Sequence, residues 1–237
     1  MTRFAEWSTE VDIGSNAPHF QKILTADRVK ITTVVSIDAG ISPDHFITPG
    51  RLAGLFFRSG RAEVAEFIEI KIPTSPRIKL GDLSEVLCTT FVHECTPFKQ
   101  GIKRLRWKDP RNMSMRDEDL LVFNPNQATG HLTVLKAELK IGTNMRSTTV
   151  NEACKALPSF DKVPLLHAVN FVADRLTEPN EITLKNAIDD EQLRHMLKLA
   201  DVTLLAPTLN CFRVPISTNP LDWTGEPHGT LISVSLP

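Results

Sequence analysis

The stretch Leu132–Ile141 reads LTVLKAELKI and alternates in character from one residue to the next. This period of two predicts a β-strand, because successive side chains of a strand point to opposite faces of the sheet. One predicted face is apolar, and the other carries Lys136, Glu138 and Lys140. Glu138 and Lys140 are therefore expected to project from the same side, two residues apart.

A second acidic residue, Asp119, precedes the apolar run Leu120–Phe123, which predicts another strand. An Asp on one strand and Glu-x-Lys on its neighbour is the layout of metal-dependent PD-(D/E)xK nucleases. Two carboxylates suit Mg²⁺, which prefers oxygen ligands and keeps several waters. Lys140 would orient or deprotonate the attacking water, or stabilise charge on the phosphate. A solvated, charged strand face gives the same short pattern.

The composition of the chain sets its size class and limits its partners. Its 237 residues suffice for one large domain or two small ones. Hydrophobic residues make up 41% and charged residues 23%, as in ordinary globular proteins. The net charge is −1, so any nucleic-acid contact must come from a local basic patch.

Cysteine usage and the missing sequence signals favour a cytoplasmic protein with reduced thiols. No secretory leader, membrane-spanning run, G-x-x-x-x-G-K-[ST] loop or G-x-S-x-G motif is present in the sequence. Cys88, His93 and Cys95 lie close together but do not have a usual zinc-site spacing, which favours core cysteines over a metal site. The four cysteines are Cys88, Cys95, Cys154 and Cys211.

The order of predicted elements suits an α/β (α+β) core with a central mixed sheet flanked by helices. The breaker-rich residues 73–76 suggest a strand-containing region over 1–75 packed on a core over 76–237, or a single domain. Helices are predicted at 49–60, 80–95, 148–157, 163–176 and 183–199. Strands are predicted at 28–38, 68–72, 102–107, 120–123, 132–141, 202–206 and 230–236.

Two further features can serve the same chemistry. Glu85 lies in the predicted helix 80–95, from which it would complete the acidic cluster, or it is an exposed helix residue. The stretch 99–116 is basic, with Asp109 as its only acid, and would hold phosphates or guard an edge strand. The DNA-binding candidates within it are Lys103, Arg104, Arg106 and Arg116.

Three runs carry a family resemblance: GDLSEVL at 81–87, NMSMRDED at 112–119 and LKAELK at 135–140. Together they resemble the HamA nuclease family of the bacterial Hachiman antiphage system, and they are similar to the related two-gene Abp phage-defence proteins. The resemblance covers roughly residues 75–160. Family members more often have Gly and an aromatic residue before the strand Asp, where this chain has Asp117 and Glu118.

The resemblance implies a PD-(D/E)xK restriction-endonuclease-like fold and a Mg²⁺-dependent DNase, with Mn²⁺ as an alternative metal. Its metal ligands correspond to Glu85, Asp119 and Glu138, and its catalytic lysine corresponds to Lys140. It also implies a partner, the superfamily-2 helicase HamB, which restrains the nuclease until activation. The alternative is a catalytically silent module that binds the helicase, its acids complementing a basic partner surface.

Overall fold

A computed structural model of the chain provides the architecture. It describes residues 6, 8–16, 19–26, 42–98, 100–115, 118–126, 131–142, 148, 152, 163–194, 202–205, 208–210 and 230–236. The predicted strand 28–38 lies outside these residues, as do Arg116 and Asp117. No helix in the described part of the chain is long and apolar enough to cross a membrane.

The first half of the chain contains α1 (Ser42–Phe46), α2 (Pro49–Ser59), α3 (Arg61–Glu69) and α4 (Pro76–Cys95). The predicted helix 49–60 is confirmed by α2. It begins where the Thr48 side chain accepts a hydrogen bond from the Arg51 N–H at 3.3 Å, and Pro49 occupies the first turn. It ends at Gly60, whose positive φ of 86° suits a residue without a side chain.

Two predicted strands in this half are wrong. Residues 68–72 finish α3 and enter a turn, because Val64 is buried at helical spacing from Ile68. Residues 102–107 contain the 3₁₀-helix Arg104–Trp107 instead of a strand. Contacts between this segment and α1 hold it in that conformation, so tertiary packing overrides its alternating pattern.

The predicted helix 80–95 is confirmed. It starts earlier than predicted, at Pro76, and proline is a favoured residue at the first position of a helix. Pro76 is thus part of a helix, and the domain boundary near it stays a prediction. Further along, α5 (Leu166–Ala173) and α6 (Ile182–Arg194) confirm the helices predicted near 163–176 and 183–199 over their described residues. Of the predicted helix 148–157, only Thr148 and Glu152 are described, and both are helical.

The described strands form one mixed sheet. They are β1 (Ser8–Asn16), β2 (His19–Ala26), β3 (Gln100–Gly101), β4 (Leu120–Pro125), β5 (Leu132–Ala137), β6 (Lys140–Gly142), β7 (Val202–Leu205), β8 (Thr208–Asn210) and β9 (Thr230–Leu236). Their order in the sheet is β1-β2-β9-β7-β5-β4-β3. Strand β6 pairs with β8, which pairs with β9, and the β5–β7 and β6–β8 pairs are parallel. The closing strands predicted at 202–206 and 230–236 are confirmed by β7 and β9.

Strands β4 and β5 lie between two apolar layers. On one face, Leu120 and Leu135 pack with side chains of α4, including Phe91 and Val92. On the other face, the apolar side chains of β4 and β5 pack against α5 and α6. Because both faces are covered, the alternative of a solvated, charged strand face does not hold at Lys136, which is only 3% exposed. The architecture is α+β, with helices on both faces of these two strands.

Candidate functional site

The register of β4 and β5 places two of the candidate acids side by side. Leu120 is opposite Ala137 in this antiparallel pair, so Asp119 just before β4 lies beside Glu138 just after β5. Strand β5 ends at Ala137, and β6 begins at Lys140. In the gap, the Leu139 N–H donates a hydrogen bond to Asp119 Oδ2 at 2.8 Å. The backbone between β5 and β6 therefore holds the Asp119 carboxylate in place.

Helix α4 contributes the third acid. Cys88 of α4 is buried in the apolar layer against β4 and β5, and Glu85 lies one turn earlier on the same side of the helix. Burial raises the pKa of the Cys88 thiol, and the neighbouring charges of Asp119 and Glu85 raise it further. Glu85 and Asp119 thus approach each other across the α4–β4 contact.

Both of these carboxyls titrate well above their ordinary range. Burial raises the pKa of Glu85 to about 7; the nearby Arg104 opposes this rise, while Asp119 adds to it. Burial also raises the pKa of Asp119 to about 6, and the charge of Glu138 raises it too. The Leu139 N–H opposes that shift. Burial and the mutual repulsion of these acids therefore outweigh the positive charges around them.

The remaining candidate, Lys140, lies next to Glu138. Its ammonium is 2.6 Å from Glu138 Oε1, and both side chains are partly exposed. The structure thus places Glu138 and Lys140 beside Asp119, and Glu85 of α4 lies near Asp119 from the other side. Phosphodiester hydrolysis can use acids of this kind through a metal ion that they bind.

The donor chemistry fits a hard divalent cation. Mg²⁺ is commonly bound through one or two carboxylates, with waters and phosphate oxygens completing its shell. Asp119 and Glu138, which are neighbours in the β4–β5 register, would be the two carboxylates of such a site. Within the described ranges, no three His, Cys, Asp or Glu side chains are grouped to hold a metal ion together. Glu85 would have to move closer to act as a third ligand.

A buried ion pair between Lys108 and Asp82, which the sequence alone does not predict, borders this cluster. The Lys108 ammonium is 2.6 Å from Asp82 Oδ2, and Asp82 lies one turn before Glu85 in α4. Both members are buried. Asp82 and Glu85 are three residues apart on one helix, so the sequence indicates that they share a face. Nothing in the sequence pairs Asp82 with a lysine 26 positions away.

The described DNA-binding candidates are held by other parts of the protein. The Lys103 ammonium pairs with Asp44, and Arg106 Nη2 is 2.6 Å from Asp44 Oδ1. Arg104 is 6% exposed, and its guanidinium donates a hydrogen bond to the carbonyl of Glu118. Arg104 therefore acts inside the protein, beside the acid cluster, and the role of these residues toward DNA stays a prediction. Arg116 lies outside the described residues.

A second buried ion pair lies on the α5 side of the sheet. Lys136 Nζ is 3.2 Å from Glu118 Oε1, which also accepts a hydrogen bond from the Leu165 N–H at 2.9 Å. Leu165 is the residue that precedes α5. Glu118, which stands where relatives of the resembled family more often have an aromatic residue, thus connects β4, β5 and the start of α5.

Comparison with known proteins places this chain in a family. A sequence model of the HamA family matches residues 39–210, which include every candidate site residue. The chain is 26% identical over 133 residues to a "Hachiman protein HamA" of Bacillus cereus. The aligned part covers 56% of this chain and 46% of that relative, so the chain spans about half the length of the relative it matches. Because the family model matches well over half of the chain, the protein belongs to the HamA family.

Proposed function

We propose that this chain is a metal-dependent DNase of the PD-(D/E)xK class that acts in Hachiman antiphage defence. One observation carries the proposal: Asp119 before β4 lies beside Glu138 and Lys140 of the β5–β6 step, where the last two side chains are partly exposed, and Glu85 of α4 lies near Asp119. Two carboxyls and a lysine at the ends of neighbouring strands, with a third carboxyl on the adjacent helix, are the groups that this class of nuclease uses. Membership of the HamA family supports a role in defence.

In this proposal, Asp119 and Glu138 would hold the Mg²⁺ ion, with Glu85 as a candidate third ligand and Mn²⁺ as an alternative metal. When bound, the ion supplies charge neutralisation at the phosphate and an acidified water. Lys140 orients that water or stabilises charge on the phosphate, since its ammonium is already positioned by Glu138 at 2.6 Å. The Leu139 N–H keeps the Asp119 carboxylate directed toward the site.

The proposal includes a partner, the superfamily-2 helicase HamB, which restrains the nuclease until DNA engages the complex. The chain itself has no G-x-x-x-x-G-K-[ST] phosphate loop, so a separate motor is consistent with its sequence. The helicase is what the resemblance to the HamA nuclease family implies, and the match to a Hachiman protein supports only the role in defence.

The test is plasmid degradation by the purified protein in Mg²⁺ or in EDTA. The wild type is expected to degrade DNA only with Mg²⁺. The double variant Glu138→Gln/Lys140→Met should lose this activity, because it removes a metal ligand and the adjacent cation. A matched control, Glu63→Gln/Lys79→Met, changes an exposed acid and an exposed base on α3 and α4 and should retain it. Full activity in the Glu138/Lys140 variant would refute the proposed site.

A catalytically silent module that binds the helicase is the second candidate. It is favoured by the way Asp119 and Glu138 are already satisfied by the Leu139 N–H and by Lys140. In such a module, Asp119→Asn would abolish binding to the helicase and would leave DNA cleavage unaffected. The nuclease would lose cleavage and keep the helicase. Co-purification with the helicase, measured beside the plasmid assay, separates the two candidates.

A further inference from the structure

An open groove with a basic lining lies beside the candidate site, between the end of α3 and the segment 106–111. Its volume is about 380 Å³. Five cationic side chains and two aromatic rings line it, and Asp109 is the one acid among its described lining residues. The cations are Arg51, Lys71, Arg106, Lys108 and Arg111, and the rings are Phe67 and Trp107.

Two of these five cations are neutralised by the protein itself. Arg106 binds both the carboxylate and the backbone carbonyl of Asp44, the carbonyl at 2.9 Å. Lys108 is buried against Asp82. These two residues therefore form the wall of the groove and contribute little net charge to a ligand.

The other three cations are paired with no carboxylate in the described part of the chain. Arg51 and Lys71 lie over the Phe67 ring, with their charged groups 5.4 Å and 5.8 Å from its centroid. Arg111 donates a long hydrogen bond of 3.4 Å to the Ile70 carbonyl. An aromatic ring positions a cation without cancelling its charge, so all three can take an anionic ligand.

The groove is connected to the acid cluster through Lys108. This residue lines the groove, while its ammonium binds Asp82, one helical turn from Glu85. The Lys108–Asp82 pair therefore connects the wall of the groove to the helix that carries Glu85.

We infer that this groove binds the phosphodiester backbone of the DNA substrate and leads it to the candidate site, with Arg51, Lys71 and Arg111 as the backbone contacts. The inference rests on the proposed function for the identity of the substrate. Spaced cations beside apolar ring surfaces suit repeating phosphates separated by sugars, and contacts of this kind do not depend on base sequence. It also gives the molecule, whose net charge is only −1, the local basic surface that DNA binding requires.

The test measures binding of fluorescein-labelled duplex and single-stranded DNA by anisotropy in EDTA, where metal-dependent cleavage cannot occur. The variant Arg51→Gln/Lys71→Gln/Arg111→Gln is compared with Arg61→Gln/Arg77→Gln/Lys79→Gln, which removes the same residue types from exposed helix positions outside the groove. Each lost phosphate contact lowers the slope of log affinity against log salt by roughly 0.9 on duplex DNA. We expect the groove variant to lose a slope of about 2–3 and at least ~10-fold in affinity. The control triple should bind like the wild type.

Single variants, Arg51→Gln and Arg111→Gln, carry the same test if the triple variant folds poorly, and each should lower the slope by roughly 0.9. Wild-type affinity and slope in the groove variants would overturn the inference, as would equal losses in the control triple or no DNA binding by the wild type. The proposed nuclease site is tested independently of the groove. It would be refuted by DNA cleavage in the Glu138→Gln/Lys140→Met variant, whatever DNA affinity the groove variants have.

Discussion

The buried ion pair of Glu118 and Lys136 allows a prediction at the scale of single residues. Their side chains are 5% and 4% exposed, and Glu118 Oε2 has no hydrogen-bond partner in the described part of the chain. Removal of one partner leaves a buried charge uncompensated. Lys136→Met is therefore expected to lower the free energy of unfolding by about 3–5 kcal/mol, measured by urea denaturation.

The double variant Lys136→Met/Glu118→Gln is the matched control for that experiment. Because it removes both charges, it should recover much of the lost stability. Equal losses in the single and double variants would show that Lys136 matters for its packing alone. The exposed pair Lys185 and Asp189, 3.2 Å apart in α6, should give less than about 1 kcal/mol in the same cycle.

A buried histidine in α1 gives the protein a pH-dependent stability. Burial and the charges of Lys103 and Arg106, opposed by Asp44, together lower the pKa of His45 from its ordinary 6.5 to about 3. Below pH 6.5, His45 binds a proton in the unfolded chain but stays neutral in the folded chain. The free energy of unfolding therefore falls as the pH drops toward 3. His93 also faces this group and contributes in the same direction.

The measurement compares the wild type with His45→Gln, whose side chain stays neutral. The difference in unfolding free energy between the two should change by up to about 1.4 kcal/mol per pH unit as the pH falls below 6.5, in favour of the variant. Urea titrations at pH 7.5, 6.0 and 5.0 record it. Parallel curves for the two proteins would show that His45 takes up its proton equally in both states.

Single residues also show what the sequence can and cannot predict. Strand alternation and a preceding acid point to Glu138, Lys140 and Asp119, and the structure places these three close together. A lysine on an alternating strand is expected to be solvated, but Lys136 is buried. Its burial depends on Glu118 and on α5, which lies about 30 positions further along the chain.

At the scale of elements, the antiparallel pairing of β4 and β5 holds the site in register. Leu120 is opposite Ala137 and is 1% exposed, and it comes directly after Asp119. Leu120→Ala should lower the free energy of unfolding by about 2–5 kcal/mol through the cavity it leaves. Leu83→Ala on α4, where the side chain is 47% exposed, is the control and should change it little. Similar losses in both variants would contradict the assigned core.

Elements with strong local signals were predictable, and elements fixed by distant contacts were not. Helix α2 has a Thr cap, a first-turn proline and a terminal glycine, so its bounds follow from the chain itself. The segment 102–107 alternates like a strand but forms a 3₁₀-helix bound to Asp44, some 60 residues earlier. The break in strand pairing at Glu138 and Leu139 was equally invisible, since β6 leaves β5 to pair with β8.

At the scale of the whole molecule, the candidate site residues come from one chain. Glu85, Asp119, Glu138 and Lys140 all lie inside the range 39–210 that matches the HamA family. On the proposed function, a partner that restrains the nuclease would act by covering the site or the groove.

This arrangement predicts the order of activities of the chain with and without its helicase. On the proposed function, in which this chain supplies Glu85, Asp119, Glu138 and Lys140, the purified chain alone should degrade plasmid DNA in Mg²⁺ several-fold faster than the same amount of chain in the co-purified helicase complex. Degradation by the complex should rise when the helicase is given DNA and ATP, as restraint is released. Both preparations are measured at equal nuclease concentration after gel filtration, with Glu138→Gln/Lys140→Met complexes as the blank. Degradation by the complex but none by the free chain would mean that the helicase completes the site, and would place a missing group on the partner.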